Sequence, residues 1–229
     1  MARAPFSPPY EDLPAVLPIF PLAGVLLLPR GTLPLNIFEA RYLAMTADAL
    51  KAEDRMIGMV QPTGADDAET AAAPGRTGPE VYPMGCAGRI VSFAETGDGR
   101  HLITLRGIIR FRIAEELPLR RGYRRVRPDF GRFRQDMEDT PYGPIDRERL
   151  MAALGNYFKI HNIDPNWSAI RDMGDRRLVI SLAMGCPFDA SEKQALLEAD
   201  GLPRRAEILT TLLEMSGTAD STGGEATRH

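Results

Sequence analysis

Prolines divide the apolar segments in the N-terminal half of this 229-residue chain into runs too short for regular helices. Because proline lacks the backbone N–H that a sheet ladder needs, a run interrupted by proline fits a short strand that bends or lies at an edge. The sequence therefore predicts short strands at Val16–Phe20, Val25–Leu28, Leu33–Phe38 and Met56–Val60.

The segment Val81–Ile113 carries the clearest strand signal, with a turn at Asp98-Gly99. Asp-Gly supplies the positive φ values that a two-residue hairpin turn needs. With Asp98 and Gly99 as the loop, Cys86 is expected to face Phe111 on one face of the hairpin. A β-bulge would shift this register by one residue, and the two candidate positions for it are Gly88 and Gly107.

Apolar residues recur at helical spacing in one segment of the N-terminal half and through most of the C-terminal half. A helix is predicted over residues 39–54, with one apolar stripe made of Ala40, Leu43, Ala44, Ala47 and Leu50. Further helices are predicted within residues 146–215, one of them beginning with a capping box in which Ser191 bonds the Gln194 N–H. The sequence thus predicts a β-rich part at 13–135 and a helical part at 146–215.

Two segments are rich in small and polar residues and have no apolar period. Pro62–Glu80 and the Gly/Ser/Thr-rich tail 216–229 are therefore predicted to be disordered. No apolar stretch approaches the roughly 20 residues that span a membrane, and no secretory leader is recognisable. With only two cysteines as well, a cytoplasmic protein that does not bind membranes is expected.

The known catalytic and metal-binding patterns are missing from this sequence. A phosphate-binding loop needs a glycine directly before its lysine, and none of the three lysines follows a glycine. Cys86 and Cys186 have no cysteine or histidine close by in the chain, so no zinc site is predicted. Glu115 and Glu116 point to opposite strand faces and are expected to be solvated rather than to share acid–base work. We expect no catalytic residue, no metal and no cofactor, and an unrecognised hydrolase is the least favoured hypothesis.

Charge is distributed unevenly along the chain. The net charge is −3, yet residues 106–134 hold ten arginines and three acidic residues, which leaves −10 on the remainder. Three aromatic residues, Tyr123, Phe130 and Phe133, lie among these arginines. Arginine and aromatic side chains together suit single-stranded nucleic acid, whereas arginines paired with carboxylates would make an ordinary solvated β surface. The second interpretation is the preferred one.

A series of motifs, in order, resembles the N-terminal substrate-binding domain of Lon proteases over about residues 13–215. The matching segments are Leu17–Leu22, Val25–Pro29, Leu33–Tyr42, Met84–Ile90, Asp98-Gly99, Arg106–Ile113 and Ser191–Glu198. Within them the residues expected to determine the fold are Pro21, Leu22, Pro29, Gly31, Pro34, Phe38, Glu39, Arg41, Gly85, Asp98, Gly99, Gly107 and Phe111. Phe38 is expected to anchor the start of the 39–54 helix in the core.

The resemblance implies an α+β fold. Its N-terminal part would be a β-rich, PUA-like pseudo-barrel with one helix, followed by a C-terminal helical bundle. Full Lon proteases continue into ATPase and protease modules, for which this chain has neither motifs nor length. The resemblance therefore implies a non-catalytic module, without those modules, that recognises unfolded polypeptide segments or a protein partner.

Since PUA-like folds include RNA-binding proteins, RNA binding by the 106–134 segment is the alternative function. The sequence assigns no oligomeric state. The candidate binding residues are Phe38, Tyr42, Arg110, Tyr123, Arg124 and Arg125.

Overall fold

The structure is a computed structural model that describes residues 8–64 and 78–222. The chain forms two compact units, Met1–Thr140 (unit 1) and Pro141–His229 (unit 2). The disorder predicted for Pro62–Glu80 falls largely on residues 65–77, which lie outside the described residues.

Unit 1 contains a six-stranded sheet within its described residues. The strands are β1 (Leu17–Pro21), β2 (Thr32–Ile37), β3 (Met56–Pro62), β4 (Val81–Glu95), β5 (His101–Arg120) and β6 (Tyr123–Asp129). Their order is β2-β5-β4-β3-β1-β6, and a further pairing of β5 with β6 closes the sheet on itself. With the helices described below, the predicted mixed α+β class is confirmed.

The segment Val25–Leu28 forms no strand, so this strand prediction is wrong, although Leu26, Leu27 and Leu28 are buried. Its backbone instead crosses β5 at Gly107. There the Arg30 N–H donates to the Gly107 carbonyl at 2.8 Å, and the Gly107 N–H donates to the Gly31 carbonyl at 2.9 Å. A Cβ at position 107 would lie 2.0 Å from the Leu28 carbonyl oxygen, so only glycine permits this crossing.

The hairpin of β4 and β5 lies where Asp98-Gly99 predicts it, but its register differs. Cys86 lies opposite Arg110, and Phe111 lies opposite Gly85, so the predicted pairing of Cys86 with Phe111 is wrong. The loop is longer than two residues, because the last strand pair is Glu95 with His101. Two register shifts follow along the ladder, one between Ala87 and Gly88 and one between Ile90 and Ser92.

Helix α1 (Ala40–Lys51) occupies the predicted segment but buries another face. The buried residues are Tyr42, Met45, Thr46 and Ala49, whereas the predicted stripe of alanines and leucines is half-exposed or exposed. Tyr42 packs against Phe20 with ring centroids 4.1 Å apart. The Thr46 hydroxyl donates to the Tyr42 carbonyl, which allows this polar side chain to be buried.

Phe38 is 64% exposed, so it does not anchor α1 in the core. It directly follows β2, and its ring lies 6.0 Å from the Arg100 guanidinium carbon. The core beside it is supplied by Ile37, the last residue of β2, which is buried.

Unit 2 is helical in its described residues. It contains α2 (Arg147–Ile160), α3 (Trp167–Asp172), α4 (Asp175–Gly185), α5 (Ala190–Glu198) and α6 (Gly201–Thr222). The capping box of α5 is formed by Asp189 and Glu192, so the predicted Ser191 cap is wrong by two residues. Helix α6 extends through Thr222 into the predicted disordered tail, and residues 223–229 lie outside the described residues. None of the described helices is long and apolar enough to cross a membrane.

Candidate functional site

A small cleft lies in unit 1 where β1 ends, α1 begins and β5 turns into β6. It encloses about 250 Å³ of empty space, part of which is open solvent. The enclosed part amounts to only about 10 Å³, the room that one water molecule needs, so the cleft is a shallow depression in the surface rather than a pocket that encloses a ligand. The lining residues are Pro21, Arg41, Tyr42, Gly78, Pro79, Gly122, Tyr123 and Arg124. Three of the predicted binding residues, Tyr42, Tyr123 and Arg124, thus meet in one cleft.

Tyr42 forms one wall of this cleft. It lies in the first turn of α1, and its ring packs between Phe20 and the guanidinium of Arg41, whose carbon lies 4.6 Å from the ring centroid. Arg41 is held in place by Glu39, with a 2.8 Å ion pair. Burial raises the pKa of Tyr42, so the phenol stays protonated at neutral pH.

Arg124 forms the charged part of the cleft and is buried, with 6% of its surface exposed. Its Nε and second guanidinium nitrogen donate to the two carboxylate oxygens of Glu116, at 2.6 and 3.0 Å. The remaining nitrogen donates to the Pro79 carbonyl at 2.7 Å. Arg124 therefore ties β6 to β5 and fixes Pro79 at the rim, and its charge is compensated within the protein.

Tyr123 connects the cleft to a carboxylate on α1. Its hydroxyl donates to Asp48 at 2.8 Å, and Asp48 also accepts a hydrogen bond from Arg121 at 2.7 Å. Burial and the hydrogen bond to Asp48 raise the pKa of Tyr123 to about 12. Desolvation opposes ionisation of Asp48, but the hydrogen bonds from Tyr123 and Arg121 outweigh it and lower the pKa of that carboxyl.

The turn between β5 and β6 shapes the floor of the cleft. Arg121 and Gly122 both have positive φ, 50° and 84°, as in the two-residue turns that connect twisted antiparallel strands. A Cβ at Gly122 would lie 3.3 Å from Arg41 Cβ. Glycine therefore both permits the turn and keeps the cleft open.

The other three predicted binding residues lie outside this cleft. Arg110 is buried and tied to Asp136, with hydrogen bonds of 2.8 Å from two guanidinium nitrogens. Arg125 lies next to Arg124 on β6 and donates to the Pro118 carbonyl at 3.0 Å. Phe38 is exposed three residues before Arg41. The geometry makes Arg110 a structural residue and leaves Phe38 accessible to a partner.

Sequence reasoning missed the carboxylates that organise this region. Glu116 was expected to be solvated, but its side chain is only 19% exposed and it pairs with Arg124, so that prediction is wrong. Glu115 pairs with a different residue, the exposed Arg127, whose Nε lies 3.0 Å from the Glu115 carboxylate. Asp48 gave no sequence signal, because its three basic or phenolic partners lie about 75 residues away in the chain.

Chemically, the cleft offers two aromatic rings, one hydrogen-bonded phenol on Tyr123, and two arginines that are paired with carboxylates. Both tyrosines have raised pKa values, and the hydroxyl of Tyr123 acts as a hydrogen-bond donor to Asp48. Within residues 8–64 and 78–222, no group of three or more His, Cys, Asp or Glu side chains is arranged to hold a metal ion. Such a shallow site is suited to contact with the surface of a bound molecule rather than to enclosing part of it.

Comparison with known proteins assigns the family. The model described as the ATP-dependent protease La (LON) substrate-binding domain matches residues 16–215. The chain belongs to the Lon substrate-binding domain family. The matched range spans the strands of the closed sheet, the cleft and most of unit 2.

Relatives and solved structures agree with this assignment. Lon protease 2 of Myxococcus xanthus is 34% identical over 212 residues, which cover 89% of this chain and 24% of the relative. Lon protease of Dictyoglomus thermophilum is 26% identical over 211 residues. The chain thus spans about a quarter of the length of these relatives.

A crystal structure of a Lon N-terminal domain protein from Xanthomonas campestris shares the fold. Its TM-score is 0.56 at 23% identity, covering 86% of this chain and 97% of that one. The N-terminal domain of a Mycobacterium avium complex Lon protease has a TM-score of 0.55 at 13% identity. These two likenesses concern the fold alone.

Proposed function

We propose that this domain recognises polypeptide, either unfolded segments or a protein partner, and performs no chemistry itself. The observation that carries the proposal is the match to the Lon substrate-binding domain over residues 16–215, and the ring of Phe38, which is 64% exposed, is the apolar contact that the experiment below tests. The shallow cleft between Tyr42 and Tyr123, with Pro21 and Pro79 in its lining, adds a surface against which the bound segment packs. A PUA-like pseudo-barrel and a cytoplasmic location are parts of the same proposal.

The arginine pairing argues against the RNA alternative. Arg121 bonds Asp48, Arg124 bonds Glu116, and Arg127 bonds Glu115. Nucleic-acid contact would require these arginines to exchange a fixed carboxylate for a phosphate. No observation in the described residues favours that exchange, so polypeptide is the better-supported ligand.

Binding of a permanently unfolded protein tests this function. Reduced and carboxymethylated lactalbumin, labelled with fluorescein, serves as the probe, and anisotropy gives the dissociation constant. We expect Phe38→Ser to weaken binding about tenfold, as loss of an interface aromatic does. The matched control is Met215→Ser, because Met215 is 58% exposed and apolar but lies in unit 2.

Two results would contradict the proposal. Either the native protein fails to bind the unfolded probe, or both serine variants bind as the native protein does. A gel shift with single-stranded RNA runs beside these measurements. RNA binding that weakens steeply with salt while the unfolded probe does not bind would assign the domain to RNA instead.

A further inference from the structure

The outer part of β4 extends past β3, and no strand of the described residues covers its edge there. β3 pairs with β4 only as far as Met56 opposite Arg89, and one further bond joins the Ile90 N–H to the Arg55 carbonyl at 2.9 Å. From Val91 to Glu95, β4 pairs with β5 on one side and with no described strand on the other. All five of these residues are exposed.

Backbone groups at this edge point outward. The Thr96 N–H donates to the Arg100 carbonyl at 2.9 Å and closes the hairpin. Residues of an antiparallel ladder alternate between bonding the partner strand and directing their N–H and C=O away from it. Counting back from Thr96, Phe93 and Glu95 direct both groups to this edge, where they are spaced to bond an added strand.

The opposite edge of this sheet section, on β2, is blocked. Pro34 pairs with Thr104, and Thr104 also pairs with Ser92 on β4. The same alternation places the Pro34 nitrogen on the outer side of β2. Proline has no N–H, so this edge lacks a donor at its centre, a common protection of edge strands. Of the two edges, the one on β4 is therefore open to strand addition.

Apolar side chains flank the open edge on both faces. Phe93 is 42% exposed and lies opposite Ile103, whereas Leu102 is 44% exposed and lies opposite Ala94 on the other face. Val91, at the register shift, is 38% exposed. An added strand with alternating apolar residues would cover apolar surface on either side of the sheet.

Two arginines at the inner end of this edge face each other without a counter-ion. Arg89 on β4 lies directly opposite Arg106 on β5, and both are half-buried. Among the described residues, neither guanidinium has a hydrogen bond or ion pair. Like charges directly opposite on neighbouring strands destabilise a sheet, and a carboxylate between or beside them would relieve the repulsion.

We propose that the β4 edge at Val91–Glu95 binds an extended polypeptide segment by strand addition, with an acidic side chain of that segment against Arg89 and Arg106. The inference rests on the proposed polypeptide recognition and adds the conformation and charge of the bound segment. The bound segment is an extended strand, because the edge offers backbone N–H and C=O groups that only an extended chain can pair in register. Its acidic side chain lies at one end, because Arg89 and Arg106 lie at the inner end of the edge.

Anisotropy with designed peptides tests the inference. The probe is a fluorescein-labelled peptide of alternating valine and threonine that carries one terminal glutamate, and its counterpart carries glutamine there. We expect the glutamine peptide to bind about tenfold more weakly to the native protein, as befits a hydrogen bond to a charged group. The difference should vanish in the double variant Arg89→Gln/Arg106→Gln.

A matched pair of variants tests the backbone bonds. Phe93→Pro removes an outward N–H that the β5 ladder does not use, whereas Phe93→Ala removes the ring and keeps the N–H. We expect the proline variant to lose binding of both peptides and the alanine variant to retain measurable binding. Circular dichroism of each variant is the control that shows whether it keeps its sheet.

Several results would overturn the inference. It fails if both peptides bind equally well, or if Phe93→Pro binds as tightly as Phe93→Ala does. It also fails if sedimentation shows a dimer that Phe93→Pro dissociates, since the edge would then belong to a second copy. If Phe38→Ser loses the unfolded probe while the edge variants bind it normally, polypeptide recognition stands and strand addition alone is wrong.

Discussion

The arginines of unit 1 occupy two contrasting settings. Around β5 and β6, Arg110 and Arg124 are buried and hold carboxylates with paired hydrogen bonds. In the β4–β5 hairpin, Arg89 and Arg106 lie side by side with no described partner. The same residue type thus fixes the fold in one region and leaves charge available in the other. Whether a carboxylate lies within reach decides between the two outcomes.

The largest expected loss of stability tests the buried arginines that are paired with carboxylates around β5 and β6. Arg110→Ala removes both guanidinium hydrogen bonds and the ion pair from the largely buried Asp136, which among the described residues keeps only the backbone N–H of residue 110, so the free energy of unfolding should fall by about 3–5 kcal/mol. The control is Arg127→Ala, whose side chain and its partner Glu115 are 54% and 57% exposed, against 9% and 11% for Arg110 and Asp136. Urea denaturation of the two variants measures the difference. An equal loss in both would remove the distinction between the two settings.

A second test compares a glycine at a tight backbone crossing in unit 1 with a glycine in an open loop. Gly107→Ala forces a Cβ against the Leu28 carbonyl where the two backbones cross and should cost about 3 kcal/mol. Gly97→Ala, in the hairpin loop, has no atom within 4 Å of its added Cβ and should change stability little. Thermal unfolding measures both. Similar melting temperatures would contradict the tight crossing.

A smaller effect is expected at Tyr123. Tyr123→Phe removes the hydroxyl that bonds Asp48, which should cost roughly 1.5 kcal/mol because the acceptor is charged. The pKa of Tyr123 is raised to about 12, so its contribution is complete below pH 10 and is lost as the pH rises through 12. The native protein should therefore lose more stability than the variant between pH 10 and 12. Parallel pH profiles from urea denaturation would contradict this assignment.

The smallest expected change tests the arginines without a described partner, and it is a gain rather than a loss of stability. Arg89→Gln removes a like-charge contact, so the free energy of unfolding should rise by about 0.2–1 kcal/mol. Arg112→Gln is the control, because Arg112 lies opposite Asp129 on β6 and gains nothing from neutralisation. Urea denaturation at low salt distinguishes them. A destabilised Arg89→Gln would mean that Arg89 supports the fold.

The sequence located the elements that depend on local signals. Asp98-Gly99 marked the hairpin because Gly99 has a positive φ of 79°, which few other residues adopt, and α1 lies within the predicted helix 39–54. The register and the buried helix face were wrong. The hairpin loop is longer than two residues, and this alone moved Cys86 opposite Arg110, because the two register shifts further along the ladder cancel each other. Packing on Phe20, which is distant in the chain, turned Tyr42 inward.

For the candidate site, the sequence supplied residues but not their arrangement. Tyr42, Tyr123 and Arg124 meet in the cleft, although they come from a helix and a strand about 80 residues apart. The pairing of Arg124 with Glu116 and of Tyr123 with Asp48 had no local signal, because ion pairs depend on position in space. The binding role of these residues stays a prediction.

By itself, the sequence determined the family, the α+β class and the position of the main hairpin, since ordered motifs, periodicity and turn residues act locally along the chain. Tertiary structure alone decided which arginines are compensated and which edge is open. Closing the sheet brings Glu116 to Arg124 and Asp136 to Arg110, but β3 ends before it covers Val91–Glu95. Charge compensation and edge coverage depend on distances between strands, and folding sets those distances.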